Sequence, residues 1–412
     1  MNKNNKNKNL ILLGTGFAGF SCLKKLEKTS YNVSVVSPRN HFLFTPLLPS
    51  TTVGTIEFRS IIEPVRNIKN IEFYKSYCIA IDPVNKFITC REIDTPDTFR
   101  LPYDILVIAA GEITNTFNIE GVKEYAFFLK EIADARKIRT KVIECFEQAS
   151  LPDTTPEQRK QLLTFVVCGG GPTGVEFAAE LHDFIEEDVT KKYKKLTDYT
   201  LLVLIEAGTG ILNSFDSKLS EYTMKLFRRH KIDVRTNSRI TKVNKENIIL
   251  KDGSSVPYGV LVWATGNTAI ELVQSCELPK NNRDKIIVDG FFHVKGYDDL
   301  YAVGDCCEYE NEMYPATAQV AQQEGRYLAG ALNRLAKNKN VKPFKFKNLG
   351  MLAYVGGNKA LADTPQYKGS GFTTFLFWRS VYLTKLVSLK NKILVLFDWF
   401  KNFIFGRDVS NF

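Results

Sequence analysis

The chain of 412 residues is 44% hydrophobic and 24% charged, which excludes a disordered polypeptide and predicts a globular protein of two or three domains. A formal net charge of +10 and a pI near 9.0 permit an acidic partner, either nucleic acid or an anionic lipid surface, without choosing between them. The eight cysteines form no C-x-x-C pair and no spacing typical of a zinc site, so we expect reduced thiols in the core and no metal.

The chain opens with a short polar and basic segment, residues 1–9, which has no apolar signal core and no Arg-rich presequence. Residues 10–37 then predict a strand, a glycine turn, a helix and a second strand. In that turn Gly14 allows the sharp bend, Gly16 leaves room for a pyrophosphate, and Gly19 lets the helix approach the strand. These flanks predict a dinucleotide site, in which Ser37 at the end of the second strand can accept a ribose hydrogen bond.

A second copy of this plan begins at Leu162 and contains Gly169, Gly171 and Gly174 at the three key positions. Glu206 lies near the end of the following strand, where a carboxylate accepts both ribose hydroxyls and repels a 2′-phosphate. The second site is therefore predicted to prefer NADH to NADPH. Glu206 is further from the glycines than usual because a long charged stretch intervenes.

The two copies also continue alike. Each runs through a strand, a turn and further strands, and closes on a small-residue triplet that ends in Gly111 in the first copy and in Gly266 in the second. An internal repeat of this length predicts an α/β fold with two Rossmann-like dinucleotide-binding domains, the second inserted into the first.

Beyond the second copy, the strand "LYAVGD" ends in Gly304 and Asp305. An aspartate in this position can accept hydrogen bonds from the ribityl hydroxyls of a flavin. The stretch "PATAQVAQQEG" that follows predicts the first turns of a helix whose positive end would point at the flavin. Its uncharged amides, including Gln319 and Gln322, suit a polar uncharged ligand, although taken alone the stretch is more typical of an ordinary helix start.

The C-terminal tail concentrates positive charge and aromatic residues. Residues 367–412 hold seven Lys or Arg against two Asp, and no part of 378–405 approaches the roughly 18 uncharged residues of a membrane-spanning helix. Apolar residues recur mostly at three- and four-residue steps, at Val381, Tyr382, Leu386, Leu389, Ile393, Phe397, Phe400 and Ile404. The pattern predicts helices lying in a lipid interface. The alternative, an amphipathic helix packed on its own protein, is less favoured because of the charge and the aromatic residues.

Taken together, these stretches resemble the type II NADH:quinone oxidoreductases, also called alternative NADH dehydrogenases, and in particular their mitochondrial branch. The similarity covers nearly the whole chain and rests on several motifs in order, among them "SPRNHFLFTPLLPSTTVGT", "FVVCGGGPTGVEFAAELHDF", "VWATGN", "YAVGDCCE" and "PATAQVAQQE". It implies one non-covalent FAD in the first domain, NADH in the second, and a quinone that reaches the flavin from the membrane side.

The resemblance also implies roles for individual residues. Together with the residues named above, the FAD set is Gly14, Gly16, Gly19, Ser37, Thr45, Pro46, Gly111, Asp305 and Ala318, and the NADH set is Gly169, Gly171, Gly174, Glu176, Glu206 and Gly266. In the family the glutamate matched by Glu176 lies near the nicotinamide, and the glutamine matched by Gln319 lies near the quinone head. Gln322 stands where some relatives carry histidine, which leaves the proton donor open.

On this resemblance we expect three regions. Residues 9–115 and 268–345 would bind FAD, residues 116–267 would bind NADH, and residues 346–412 would serve membrane association and dimerisation. The partners expected are NADH, a ubiquinone-type quinone, the membrane surface and a second copy of the chain, with no nucleic acid. The expected place is the inner mitochondrial membrane as a peripheral protein, or the cytoplasmic face of the plasma membrane for a prokaryotic source.

Three other interpretations compete. A disulfide reductase needs a cysteine pair on an early helix, and residues 40–66 contain no cysteine. A sulfide:quinone oxidoreductase needs reactive cysteines, for which Cys168 and Cys306 are the candidates, but the intact second glycine motif and Glu206 argue against it. A flavoprotein whose redox state serves partner binding would oxidise NADH slowly with every quinone.

Overall fold

A computed structural model describes residues 7–310 and 312–410, and the chain divides into two compact units. The first takes the residues up to Leu43 together with Glu63–Ile113 and Asn267–Lys347. The second takes Phe44–Ile62, Thr114–Gly266 and the residues from Asn348 onward.

The strands are β1 Lys8–Leu13, β2 Tyr31–Ser37, β3 His41–Leu43, β4 Ile62–Pro64, β5 Glu72–Asp82, β6 Phe87–Glu92, β7 Thr98–Pro102, β8 Ile105–Ile108, β9 Glu112–Thr114, β10 Phe127–Phe128, β11 Thr164–Cys168, β12 Leu201–Ile205, β13 Asp233–Arg235, β14 Ile240–Val243, β15 Asn247–Leu250, β16 Ser255–Pro257, β17 Val260–Trp263, β18 Asn267–Ala269, β19 Ile286–Val288, β20 Leu300–Ala302, β21 Cys307–Tyr309, β22 Met351–Gly356, β23 Lys359–Asp363 and β24 Lys368–Gly371.

The α-helices are α1 Phe17–Lys25, α2 Leu48–Thr52, α3 Val122–Tyr125, α4 Ile132–Ala149, α5 Pro156–Leu162, α6 Pro172–Phe184, α7 Thr190–Lys192, α8 Ser217–Arg229, α9 Glu271–Ser275, α10 Ala318–Leu335, α11 Phe372–Lys385 and α12 Leu389–Phe405. Short 3₁₀ turns cover Lys28–Ser30, Thr45–Leu47, Phe58–Ile61, Val65–Asn67 and Lys194–Tyr199, and a π-helical turn covers Ile185–Val189. Among the described residues, none of these helices combines the length and the apolar character that crossing a membrane requires.

The first unit is built on a seven-stranded sheet in the order β20-β8-β1-β2-β5-β6-β7. The strands from β20 to β5 pair in parallel, whereas β5, β6 and β7 pair antiparallel. Leu10–Leu13 are all buried, as expected for a parallel strand covered on both faces. Helix α10 packs closely on α1, because a Cβ on Gly325 would lie only 2.0 Å from the Ala18 carbonyl oxygen.

The second unit contains a five-stranded, entirely parallel sheet in the order β10-β17-β11-β12-β13. In both units the strand before the glycine turn is central: β1 lies between β2 and β8, and β11 lies between β12 and β17. The predicted α/β fold with two Rossmann-like domains is confirmed.

Two antiparallel sheets complete the second unit, β14-β15-β16 and β22-β23-β24. The second of them brings Tyr354 onto helix α6, where its ring also packs on Phe375 and Trp378 of α11. The part of the chain after residue 348 therefore packs on α6, the helix that follows the second glycine turn.

Candidate nucleotide and quinone site

The three glycines of the first turn are required for two different reasons. A Cβ on Gly14, whose φ is +95°, would lie 2.2 Å from the Ala109 carbonyl oxygen, and one on Gly19 would lie 2.1 Å from the oxygen of Gly14. A Cβ on Gly16 would meet no described atom within 4 Å. Gly14 and Gly19 are therefore needed for packing, whereas Gly16 borders open space at the N-terminus of α1, where an anion binds well.

The second turn repeats this arrangement. A Cβ on Gly169 would lie 2.7 Å from the Ala264 oxygen, and one on Gly174 would lie 1.9 Å from the Gly169 oxygen. A Cβ on Gly171 would again meet no described atom within 4 Å. Both turns thus offer free backbone at a helix N-terminus, which fits the pyrophosphate of a dinucleotide.

Glu206 and Ser37, which lie at the end of the second strand of each copy, form hydrogen bonds with nearby residues. Glu206 accepts hydrogen bonds from the backbone N–H groups of Gly170 and Gly208, each at 2.6 Å. Ser37 is buried, lies 3.0 Å from the Thr15 hydroxyl and accepts the backbone N–H of Arg39. These contacts fix both side chains beside their glycine turns.

The end of β20 in the first unit places Asp305 after Gly304, whose φ is +80°. A Cβ on Gly304 would lie 3.0 Å from the Ala18 side chain and 3.8 Å from that of Ala321, so the turn sits against both α1 and α10. This arrangement gathers the first glycine turn, Asp305 and the start of α10 within one unit.

Glu324 is a residue that the sequence reasoning missed. Its buried carboxylate accepts the backbone N–H of Gly304 at 2.5 Å, and burial raises its pKa to about 7. The signal was present, because Glu324 closes the stretch "PATAQVAQQE".

The predicted helix start is observed. Helix α10 begins at Ala318, and the N-cap Thr317 accepts the backbone N–H of Val320. Gln319 and Gln322 are half-buried in its first turns and lie three residues apart, so they share one helix face. Gln323 differs, because its amide exchanges two hydrogen bonds with the backbone of Lys347, at 2.9 and 3.0 Å.

The remaining predicted residues fall in several places. Gly111, with a φ of +68°, belongs to the first unit, whereas Thr45 and Pro46 lie in a 3₁₀ turn of the second. Gly266, with a φ of +75°, belongs to the second unit, where a Cβ would lie 2.6 Å from the Phe117 ring.

Glu176 is buried in α6, and its Oε1 accepts the backbone N–H of Tyr354 at 3.1 Å. Burial, with the neighbouring Glu180 carboxyl as a smaller cause, raises the pKa of Glu176 to about 8. The carboxyl therefore holds a proton at neutral pH.

Two further buried carboxyls extend along the same face of α6. Glu180 accepts the hydroxyls of Ser50 at 2.6 Å and Thr55 at 2.7 Å, and burial raises its pKa. Asp183 accepts the Tyr354 hydroxyl at 2.5 Å. Residues four and three apart on a helix point the same way, so this face is a continuous acidic row.

Helix α12 turns its polar side inward. Asp398 accepts the Ser60 hydroxyl at 2.6 Å and the Glu57 backbone N–H at 3.0 Å, while the Asn391 amide donates to the carbonyls of Ser60 and Ile62. The opposite side exposes a row of apolar side chains: Leu389, Ile393, Leu396, Phe397, Phe400, Phe403, Ile404 and Phe405. An apolar face of this kind on a folded protein marks a surface for a further partner.

The predicted outward row is only partly correct. Ile393, Phe397, Phe400 and Ile404 are exposed as expected, but Leu386 is buried. The physical reason is a break between the two helices, since α11 ends at Lys385 and Ser388 caps the start of α12. The periodicity does not continue across that break.

The cysteines are in thiol form and lie in the interior or beside it. Cys306 and Cys307 are both buried, and burial raises the pKa of the Cys168 thiol well above its usual range. A thiol in this state is a poor nucleophile.

Comparisons with known proteins agree with this geometry. A family model described as pyridine nucleotide-disulphide oxidoreductase matches residues 8–325, and one described as NDH2 C-terminal domain matches residues 348–408. The probable NADH dehydrogenase of Dictyostelium discoideum is 47% identical over 414 residues, which is 99% of this chain and 92% of the relative. External NADH-ubiquinone oxidoreductase 2, mitochondrial, of Saccharomyces cerevisiae is 42% identical over an alignment that covers 98% of this chain and 82% of the relative. The structure of NDH2 from Plasmodium falciparum in complex with NADH superposes with a TM-score of 0.96 at 30% identity, over 98% of this chain and all of that one.

Proposed function

This chain belongs to the pyridine nucleotide-disulphide oxidoreductase family, and within it to the type II NADH dehydrogenases; from that premise we propose that it is an NADH:ubiquinone oxidoreductase that does not pump protons. The observation that carries the proposal is the pair of equivalent glycine turns, each with one glycine that borders open space at a helix N-terminus. A bound FAD would supply the redox chemistry, as the hydride acceptor for NADH and the two-electron donor to a quinone.

We assign FAD to the first glycine turn and NADH to the second. Around FAD, Gly14, Gly16 and Gly19 would shape the pyrophosphate turn, Ser37 would accept from the ribose, and Asp305 would accept from the ribityl hydroxyls. Gly111, Thr45, Pro46 and Ala318 would be further contacts. Around NADH, Gly169, Gly171 and Gly174 would form the turn, with Gly266 as a further contact and Glu176 near the nicotinamide. Free N–H groups at each helix start supply the donors that a pyrophosphate needs.

Glu206 gives the second site its preference for NADH. Its carboxylate is held beside the turn by two backbone donors, which keeps its negative charge close to the position of a ribose. Oxygen lone pairs that these bonds leave free accept ribose hydroxyls, and the same charge repels a 2′-phosphate.

For the quinone we propose that Gln319 donates its amide to a carbonyl oxygen and that Gln322 lines the same helix face. Neither amide supplies a proton. Glu176 carries a proton at neutral pH, and we include it with Gln319 and Gln322 in the catalytic set.

We further propose the regional assignment expected from the sequence, with FAD on residues 9–115 and 268–345, NADH on 116–267, and membrane association and dimerisation on 346–412. The outward apolar face of α12 supports the membrane surface as a partner. Since the yeast relative is named as mitochondrial, we place the protein on the inner mitochondrial membrane.

A sulfide:quinone oxidoreductase is not favoured. It requires reactive thiols, whereas Cys168 and Cys306 are buried.

The test is stopped-flow kinetics on the purified, FAD-loaded protein, with NADH or NADPH as donor and a short-chain ubiquinone as acceptor. We expect rapid flavin reduction by NADH, slower reduction by NADPH, and reoxidation by the quinone. Slow NADH oxidation with every quinone would instead support a partner-binding flavoprotein, and proton translocation in proteoliposomes would disprove the non-pumping assignment.

A further inference from the structure

Two of the four histidines of the chain meet beside a buried aspartate in the second unit, and none of these three residues has a part in the proposed reaction. His182 and Asp183 end α6, and His230 caps the end of α8. One ligand atom from each of the three residues lies within 4.8 Å of the other two. The two imidazole rings stack with their centroids 4.5 Å apart, and His182 Nδ1 lies 3.3 Å from Asp183 Oδ1.

Gly356, the last residue of β22, lies against these atoms. The point that a Cβ on Gly356 would occupy lies 3.5 Å from Asp183 Oδ1 and 3.6 Å from His230 Nδ1. His230 Nδ1 is itself buried and has no hydrogen-bond partner among residues 7–310 and 312–410. A buried ring nitrogen without a hydrogen-bond partner, close to a second imidazole and a carboxylate oxygen, is able to serve as a metal ligand.

We propose that His182, Asp183 and His230 bind one zinc ion between their side chains. Two imidazoles and one carboxylate are a donor set that zinc accepts, with water in the fourth position. Binding requires the stacked rings to turn so that each directs a nitrogen at the same ion. Ligand atoms that already lie within 4.8 Å of one another need only shifts of this kind.

The carboxylate is already oriented by its surroundings. The Tyr354 hydroxyl donates to Asp183 Oδ2 at 2.5 Å, and the backbone N–H of Gly357 lies 3.1 and 3.0 Å from its two oxygens. Donors of this kind fix the direction in which a ligand carboxylate presents its free lone pairs. Oδ1 faces the imidazole of His182, whose Nδ1 lies 3.3 Å away.

The nearby charges set the affinity. The Lys359 ammonium and the Glu186 carboxylate both act electrostatically on the His230 ring, with opposite signs. Removing the lysine charge therefore favours a divalent cation, although it removes no ligand.

The experiment is equilibrium dialysis of the FAD-loaded full chain against zinc chloride, with bound metal measured by elemental analysis and the melting temperature recorded in parallel. We expect one zinc per chain and a higher melting temperature with zinc than without. H182Q and H230Q should each weaken binding at least about tenfold, whereas K359Q should tighten it.

The matched control is His293→Gln. His293 also faces a carboxylate, Asp289 at 3.2 Å, but it has no second histidine beside it. H293Q should bind zinc as the wild type does. No zinc on the wild type, or equal binding by H182Q, H230Q and H293Q, would overturn the proposal; so would binding that cysteine alkylation abolishes while H182Q and H230Q retain it. If H230Q fails to fold, H182Q and K359Q still decide the question, since they predict opposite changes.

Discussion

Tyr354 donates its backbone N–H to Glu176 at 3.1 Å, and its hydroxyl reaches Asp183 of the same helix at 2.5 Å. A single residue of the C-terminal hairpin therefore contacts two buried carboxyl groups of α6. The two contacts lie in different electrostatic settings, because one carboxyl is protonated at neutral pH and the other also accepts the backbone N–H of Gly357.

The raised pKa of Glu176 predicts a pH-dependent stability. The folded chain keeps a proton up to about pH 8, whereas the unfolded chain releases it near pH 4.5. The contribution of this carboxyl is therefore complete below pH 4.5 and is lost as the pH rises toward 8. E176Q, which stays neutral, should melt near the wild-type temperature at pH 5 and above it at pH 8. Glu221→Gln, which changes an exposed side chain of α8, is the control. If the melting temperatures of E176Q and the wild type differ by the same amount at both pH values, the assignment is contradicted.

The second glycine turn predicts two alanine variants with opposite defects. Gly171 has φ −72° and ψ 177°, which alanine adopts freely, and its Cβ meets no described atom within 4 Å. G171A should therefore fold normally and raise the Michaelis constant for NADH roughly tenfold or more, because the methyl group enters the pyrophosphate position. In G174A the methyl would lie 1.9 Å from the Gly169 oxygen, so that variant should lose stability. Melting curves and NADH kinetics separate the two, and equal stability of both variants would refute the packing role of Gly174.

The charge of Glu206 predicts nucleotide selectivity. E206A removes an ionised acceptor of ribose hydroxyls, which costs about 1.5–3 kcal/mol and raises the Michaelis constant for NADH by roughly tenfold or more. Discrimination against NADPH should fall at the same time. The exposed Glu246 serves as the control through E246A. An unchanged ratio of NADH to NADPH efficiency in E206A would show that another residue sets the preference.

Within α10, neighbouring glutamines predict different phenotypes. Q319A should slow flavin reoxidation by ubiquinone more than flavin reduction by NADH. Q323A removes the pair of hydrogen bonds to Lys347 and should lower the melting temperature, but it should not slow reoxidation more than reduction. Stopped-flow absorbance in both half-reactions measures the difference, and untouched quinone kinetics in Q319A would show that the quinone binds elsewhere.

The exposed face of α12 predicts binding to lipid. Phe403 and Phe405 are 89% and 80% exposed, and replacing both with serine should weaken sedimentation with anionic liposomes at least about tenfold. Leu151 is also exposed, at 58%, but lies outside the C-terminal helices, so L151S should sediment as the wild type does. Equal sedimentation of all three proteins would rule out α12 as the contact.

How far the sequence predicts this molecule depends on how local each requirement is. Gly14 and Gly169 could be found from sequence because each satisfies a backbone constraint set by its immediate neighbours in a strand, turn and helix. The contact between Glu176 and Tyr354 could not, since 178 positions separate the two residues and no spacing rule connects them.

The C-terminal helices illustrate an intermediate case. Helical periodicity identified Phe397 and Phe400 correctly, but it placed Leu386 on the wrong side because the cap at Ser388 resets the helix. Periodicity also says nothing of the inward direction of Asp398, which depends on the Ser60 hydroxyl. The histidines of the proposed zinc site were equally hidden, because His182 and His230 end different helices.

The inward polar side of α12 has a consequence for the order in which this helix folds and attaches to a membrane. Asn391, Asp398 and Asn402 secure this helix to residues 54–62 through hydrogen bonds that form without lipid. The conformational entropy of the helix is lost during folding and not at the bilayer. On the proposed function, α12 is therefore already folded and held in place when it meets a membrane. Attachment is then a reversible docking step, and its strength depends on the lipid composition and not on the helical tendency of the segment.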